Sequence, residues 1–284
     1  MIRKKIDSNQ LCDIRKGIML YFYEDPDKTE IKRIYDSFIK ITGAEFKYYF
    51  QNNGYYKRVR NKNLFYDWIE SCKFNCSEVL SLTDATMDKL QNNEAYFSLS
   101  NYNENYFYNS PNTIYLECSC KISWDKIYKF ILEANNTGKY YYICSNYVIG
   151  TNCNLGTRSK VEGIKMLNKS KALNIWNFVW YSFDFMDNMR QGIEGPDYIQ
   201  VISPEVYRKL QMDNLKSNDF RCTISNNNLI IDLVEQNYSI EDNRIEEVFK
   251  KLYLLLKPII IDIKKPKMYW KDDKWEQWRR RFED

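Results

Sequence analysis

Apolar residues recur along this chain at two spacings, every second residue and every third or fourth, and the two spacings alternate. Residues 18–23 read as a strand. Asp27-Lys28-Thr29-Glu30 resembles a capping box, and Ile31, Ile34, Tyr35, Phe38 and Ile39 follow at helical spacing up to Gly43. A strand over 46–51 is expected next, then a turn at Asn52-Asn53-Gly54 and a returning strand over 55–60. Short amphipathic helices are predicted over 64–72 and 84–92, and strands over 95–100 and 113–120, flanking an Asn- and Tyr-rich loop at 101–112. Ser123 is placed to cap a helix bearing Trp124, Ile127, Phe130 and Ile131; Gly138 ends it before a strand over 139–148.

Residues 150–163 read as a linker, with helices predicted over 161–168 and 173–189. The last third runs strand (198–202), helix starting at Ser203-Pro204-Glu205, strands at 220–224 and 228–233, helix capped at Ser239, then strand 259–261 after Pro258. That is the βαββαβ order of a ferredoxin-like unit, and the first half reads in a similar order with insertions. The expected class is α+β: antiparallel or mixed sheets, helices packed on one face, two such halves. The halves, 1–150 and 151–284, form two domains or close into one compact domain.

Composition narrows the chemistry. The 284 residues include no histidine, which removes the commonest general base, metal ligand and Ser-His or Cys-His pairing. A net charge of +4, from 42 basic and 38 acidic residues, makes no strong field for nucleic acid or anionic membrane. The opening Met1-Ile2-Arg3-Lys4-Lys5 has no apolar stretch behind it, so a cytoplasmic chain is expected rather than a secreted one. Eight cysteines in a chain of this kind read as reduced thiols. Cys72-x3-Cys76 and Cys118-x-Cys120 are close pairs, but the alternation of 114–120 places Cys118 and Cys120 together on a strand face as core thiols rather than zinc ligands. Neither metal nor cofactor is expected.

Four segments bear on function. Gly150 to Arg158 lies where a phosphate loop would sit, yet lacks the spacing and the Gly-Lys-Ser/Thr ending. Asp184 and Asp187 lie three apart near Trp176 and Trp180, with Glu194 and Asp197 beyond; paired carboxylates beside aromatics suit a glycosidase, but acids at this spacing more often form a solvated helix face, where Asp187 can pair with Arg190. Tyr55, Tyr56 and Arg58 belong to an aromatic-basic stripe over 55–62 that could stack bases, or form a charge-protected sheet edge. Tyr102, Tyr106 and Tyr108, set among Asn and Ser, have the composition of an adaptable recognition loop.

Two stretches resemble the bacterial type VI secretion immunity family, whose members neutralise polymorphic toxins. One is Gly195-Pro196-Asp197-Tyr198-Ile199-Gln200-Val201-Ile202 running into Ser203-Pro204; the other is Trp278-Arg279-Arg280-Arg281-Phe282. The resemblance implies a small cytoplasmic inhibitor that occludes a cognate protein toxin, with no catalytic residues to carry over. Tyr102, Tyr106, Tyr108, Tyr55, Tyr56 and Arg58 are then the candidate partner-binding residues. The competing readings are a histidine-free enzyme using Asp184, Asp187 and Glu194, and a nucleic-acid-binding module acting through 55–62.

Overall fold

The computed structural model describes residues 14–23, 26–51, 57–72, 78–84, 95–101, 113–136, 139–150, 170–174, 191–261, 277–278 and 280–283. Within them one sheet of ten strands organises the chain: β1 (Ile14–Phe22), β2 (Tyr48–Gln51), β3 (Lys57–Arg58), β4 (Glu78–Thr83), β5 (Ala95–Asn101), β6 (Thr113–Cys118), β7 (Tyr140–Ile149), β8 (Ile199–Ile202), β9 (Arg221–Ser225) and β10 (Asn228–Asp232). Their spatial order is β3-β2-β4-β5-β6-β1-β7-β8-β10-β9, and every neighbouring pair is antiparallel. With the helices below, the fold is α+β. The sheet runs unbroken across residue 150, because β7 pairs with β8.

β1 is central in space although first among the described strands. Ile18 faces Leu116 of β6 on one side and Ser145 of β7 on the other. Successive residues point to opposite faces, and both faces of β1 and β7 are covered: all ten residues of β7 are buried.

The first face carries α1 (Lys28–Thr42), α2 (Leu64–Ser71) and α3 (Trp124–Asn135). Tyr35 of α1 stacks on Phe65 of α2 at 3.8 Å, and both meet Phe97 of β5 edge-on. Phe38 of α1 reaches Phe130 of α3. The helix starts follow the sequence. Asp27 Oδ1 accepts from Thr29 N, and Ser123 Oγ accepts from Lys126 N. Gly43 closes α1 at φ +65°, donating to Ile39 O, a left-handed conformation that suits a residue without Cβ.

The C-terminal elements depart from the pattern in three places. The helix begun by Ser203-Pro204 is a single turn, α4 (Pro204–Tyr207), and the Ser203 hydroxyl makes no capping bond. The next helix, α5 (Arg244–Leu256), starts after Asn243 rather than at Ser239, and Asp242 Oδ1 takes the Arg244 N–H. Residues 259–261, read as a buried strand, leave a three-residue 3₁₀ turn and make one parallel bridge, Ile193 to Ile260. Lys257-Pro258 sets that turn, since proline fixes φ and donates nothing to a ladder. The strands β8, β10 and β9 lie in the ferredoxin-like order, with β7 in the fourth position beside β8. Gly192 is demanded at the bridge: a Cβ there would stand 2.2 Å from Ile259 O.

Cys118 ends β6 and is buried with Ile114 and Leu116, but Cys120 lies beyond the strand and is exposed. The alternation expected through residue 120 stops two residues early, because the chain turns at 120–121 toward α3.

Candidate functional site

Three places gather residues able to recognise or react. The first is the β2–β3 edge. Tyr48 pairs with Arg58 and Tyr49 with Lys57, so Arg58 occupies the last strand at one end of the sheet and is exposed. Tyr55 and Tyr56 lie outside the described residues, as do Tyr102, Tyr106 and Tyr108.

The second is a buried polar cluster against the other face of the sheet. β1 and β7 place Tyr21 opposite Tyr142 and Gly17 opposite Asn146, and the segment entering β8 brings Asp197 onto them. Asp197 Oδ2 accepts from Tyr142 Oη at 2.9 Å; its Oδ1 accepts from Asn146 Nδ2 at 3.0 Å and Asn174 Nδ2 at 3.1 Å. Gln200 Nε2 donates to Gly195 O, and Tyr21 Oη donates to Glu194 Oε1 at 3.1 Å. Asp197 is wholly buried, and loss of water pushes its carboxyl up to about 6 against the pull of its hydrogen-bond donors. Burial also drives the Tyr142 hydroxyl and the Cys144 thiol far up, with the Asp197 charge adding to both.

Of the carboxylates singled out in the sequence, Asp184 and Asp187 fall outside the described residues, while Glu194 and Asp197 meet in this cluster. Three of about four acceptor positions on Asp197 are filled by protein donors. Its geometry ties β7, the 170–174 segment and the approach to β8 into one unit. The donors Asn146 and Asn174 carry no motif in the sequence; only the strand register brings them to Asp197.

On the opposite face Lys16 is buried beneath α3. Its Nζ donates to Ile122 O at 2.6 Å and stands 4.3 Å from the Trp124 ring centre. Burial lowers its pKa, and the aromatic face partly replaces lost water. Among the described residues, no group of His, Cys, Asp and Glu is arranged to hold a metal ion. No helix among them is long and apolar enough to cross a membrane.

The third place is a groove of about 960 Å³ beside β9, walled by Met212, Leu215, Phe220, Cys222, Ile224 and Leu229. Three of its four charged residues are paired with one another, and Lys216 also lines it. Arg221 makes a two-point contact with Asp232, at 3.0 and 3.2 Å, and a further bond to Glu235. Ile224 stands 54% exposed and Met212 39% at the rim. Neither residue stands out in the sequence, where β9 reads as an ordinary strand.

No protein-family model matches this chain, and no curated protein matches it in sequence. Among solved structures, its fold is similar to that of the Pseudomonas aeruginosa T6SS protein PA0821. The TM-score is 0.74 over 95% of this chain and 82% of that one, at 10% sequence identity.

Proposed function

We propose that this chain is an immunity protein, one that binds a cognate bacterial toxin in the cytoplasm and neutralises it by occluding the active site. The observation that carries the reading is the fold it shares, over 95% of its length, with a protein of a type VI secretion system. The stretches 195–204 and 278–282, which resemble type VI immunity proteins, support it independently. A rigid ten-stranded sheet suits the task, since an inhibitor needs a fixed scaffold presenting a few anchors.

The partner is a protein, and the proposed anchors are Tyr102, Tyr106, Tyr108, Tyr55, Tyr56 and Arg58. The test is to express the reading frame adjacent to this gene, with and without the chain, and to score growth and co-purification. Rescue with a stable complex is expected; growth inhibition that the chain does not relieve contradicts the reading. Within a rescuing pair, Tyr106→Ala and Tyr108→Ala should each weaken binding by about 2 kcal/mol or more with an unchanged melt, as interface anchors do. Full protection by both variants would place the toxin on another surface.

A further inference from the structure

The two ends of the sheet are built differently. At one end β3 is two residues long, and both, Lys57 and Arg58, are exposed charges, a common guard against strand addition. At the other end β9 has five residues and one charge, Arg221, which Asp232 and Glu235 hold. Its neighbours Thr223 and Ile224 are exposed.

The hairpin register sets which backbone groups β9 offers. Asn226 and Asn227 both have positive φ, 52° and 65°, so the turn is a two-residue type I′ that closes on Ser225 and Asn228. Hydrogen-bonded and non-hydrogen-bonded pairs then alternate along the ladder. Ser225, Thr223 and Arg221 bond to β10, and the N–H and C=O groups of Ile224 and Cys222 point away from it. Among the described residues no backbone group of another segment bonds to them.

We infer that β9 pairs with β9 of a second copy of this chain, antiparallel about a two-fold axis at Thr223. In that register Cys222 of each copy lies opposite Ile224 of the other, and the outward groups of both residues exchange hydrogen bonds, four in all by antiparallel ladder geometry. The side chains are complementary to themselves. The half-exposed Ile224 meets Cys222, a wall of the groove; Thr223 meets Thr223, a favourable cross-strand pair; Arg221 meets Ser225, so no like charges face each other. The charged groups of the groove lining, Lys216, Arg221, Asp232 and Glu235, balance to zero, so this edge presents no net field that would select a charged foreign segment over a second copy. The two sheets join into one continuous sheet with the charged β3 edges outermost, an isologous and closed arrangement.

The test uses the full chain. Sedimentation between about 1 μM and about 1 mM, spanning weak to moderate dissociation constants, should show a monomer–dimer equilibrium. Ile224→Pro removes an N–H that faces away from β10, and Ile224→Lys adds a charge at the edge. Each should weaken dimerisation at least about tenfold while leaving the circular dichroism spectrum and melt unchanged. In a Cys222→Ser background, Thr223→Cys should give a disulfide-linked dimer joined at 223, because paired Cα atoms about 4.5 Å apart suit a disulfide. A chain that stays monomeric at the highest concentration and forms no 223–223 link overturns the inference. So does slow hydrogen exchange at Cys222 and Ile224 in a monomer, which would put another segment of the same chain on the edge. Loss of toxin protection by Ile224→Pro in a monomeric chain would assign the edge to a foreign strand instead.

Discussion

Trp124 and Tyr198 lie face to face, ring centres 4.0 Å apart and planes 8° from parallel. One belongs to α3 and the other to the approach to β8, so the pair fastens the helical layer to the C-terminal strands. Tyr147 completes the group edge-on to both, accepting a hydrogen bond from Trp124 Nε1 at 3.1 Å and donating to Tyr238 O.

Trp124→Ala is therefore expected to destabilise the fold by about 3–5 kcal/mol, the range for emptying a large aromatic site. It also removes the nearer of the two aromatic rings that face Lys16, leaving Tyr147 at 5.7 Å. Urea unfolding followed by tyrosine fluorescence measures the loss; a change below about 1 kcal/mol would show that the stack carries little of the packing.

Asp197 makes a prediction in pH. Its carboxyl stands at about 6 in the folded chain, above the ordinary 3.8, so the folded state holds the proton more tightly. The stabilising effect is complete below about pH 4 and is lost as pH rises through about 6. At ~1.4 kcal/mol per pH unit the full span is roughly 3 kcal/mol. Asp197→Asn keeps an oxygen for Asn146 and Asn174 but has no charge to form, so the difference between the two proteins in urea stability should change across pH 4–6 and level off above. A constant difference contradicts the assignment. Asp197→Ala should be worse at every pH, because three buried donors lose their acceptor.

How far the sequence revealed this depended on what each residue does. The face of α1 was legible because Ile31, Ile34 and Phe38 repeat at helical spacing and are buried as the pattern requires. The β9–β10 hairpin was legible as two short strands, 220–224 and 228–233, a few residues apart. Glu117 and Asp197 were not: alternation reads a charged residue as outward, yet both are buried. Glu117 accepts from Tyr115 Oη at 2.6 Å, a partner two residues away on the same strand face. Burial of such groups is set by register between strands as distant as β1 and β7, and no local pattern encodes that register.

Thiol reactivity should sort by position. Burial pushes Cys118 to about 12 and raises Cys144 far above its usual value, whereas Cys120 is exposed. Among the described cysteines, Cys120 should be alkylated first by iodoacetamide at mildly alkaline pH, with Cys118 and Cys144 spared until unfolding. Peptide mapping by mass spectrometry reads the order. Denatured under anaerobic conditions, the chain should titrate as eight thiols; four would show disulfides.

The C-terminal residues are part of the packing. Phe282 is buried against Phe249 and Tyr253 of α5, and Tyr253 Oη donates to Glu283 at 2.8 Å. Arg281 lies 3.9 Å from the Trp278 ring centre and donates to Lys171 O. Truncation before Lys264 should lower the melting temperature, and Phe282→Ala alone should cost about 3–5 kcal/mol. A truncated chain that melts with the full one would show these contacts to be dispensable.

The position of β1 has a consequence for synthesis on the ribosome. Both of its neighbours are made late: Ile14 faces Ile149, and Lys16 faces Cys118. At about 5–20 residues per second the nascent chain carries an apolar strand with two open edges for on the order of ten seconds. Apolar residues such as Ile18, Leu20 and Phe22 are then presented to chaperones and to other nascent chains. Yield in the cell should accordingly depend on translation speed and on holdase capacity more than on the stability of the finished protein.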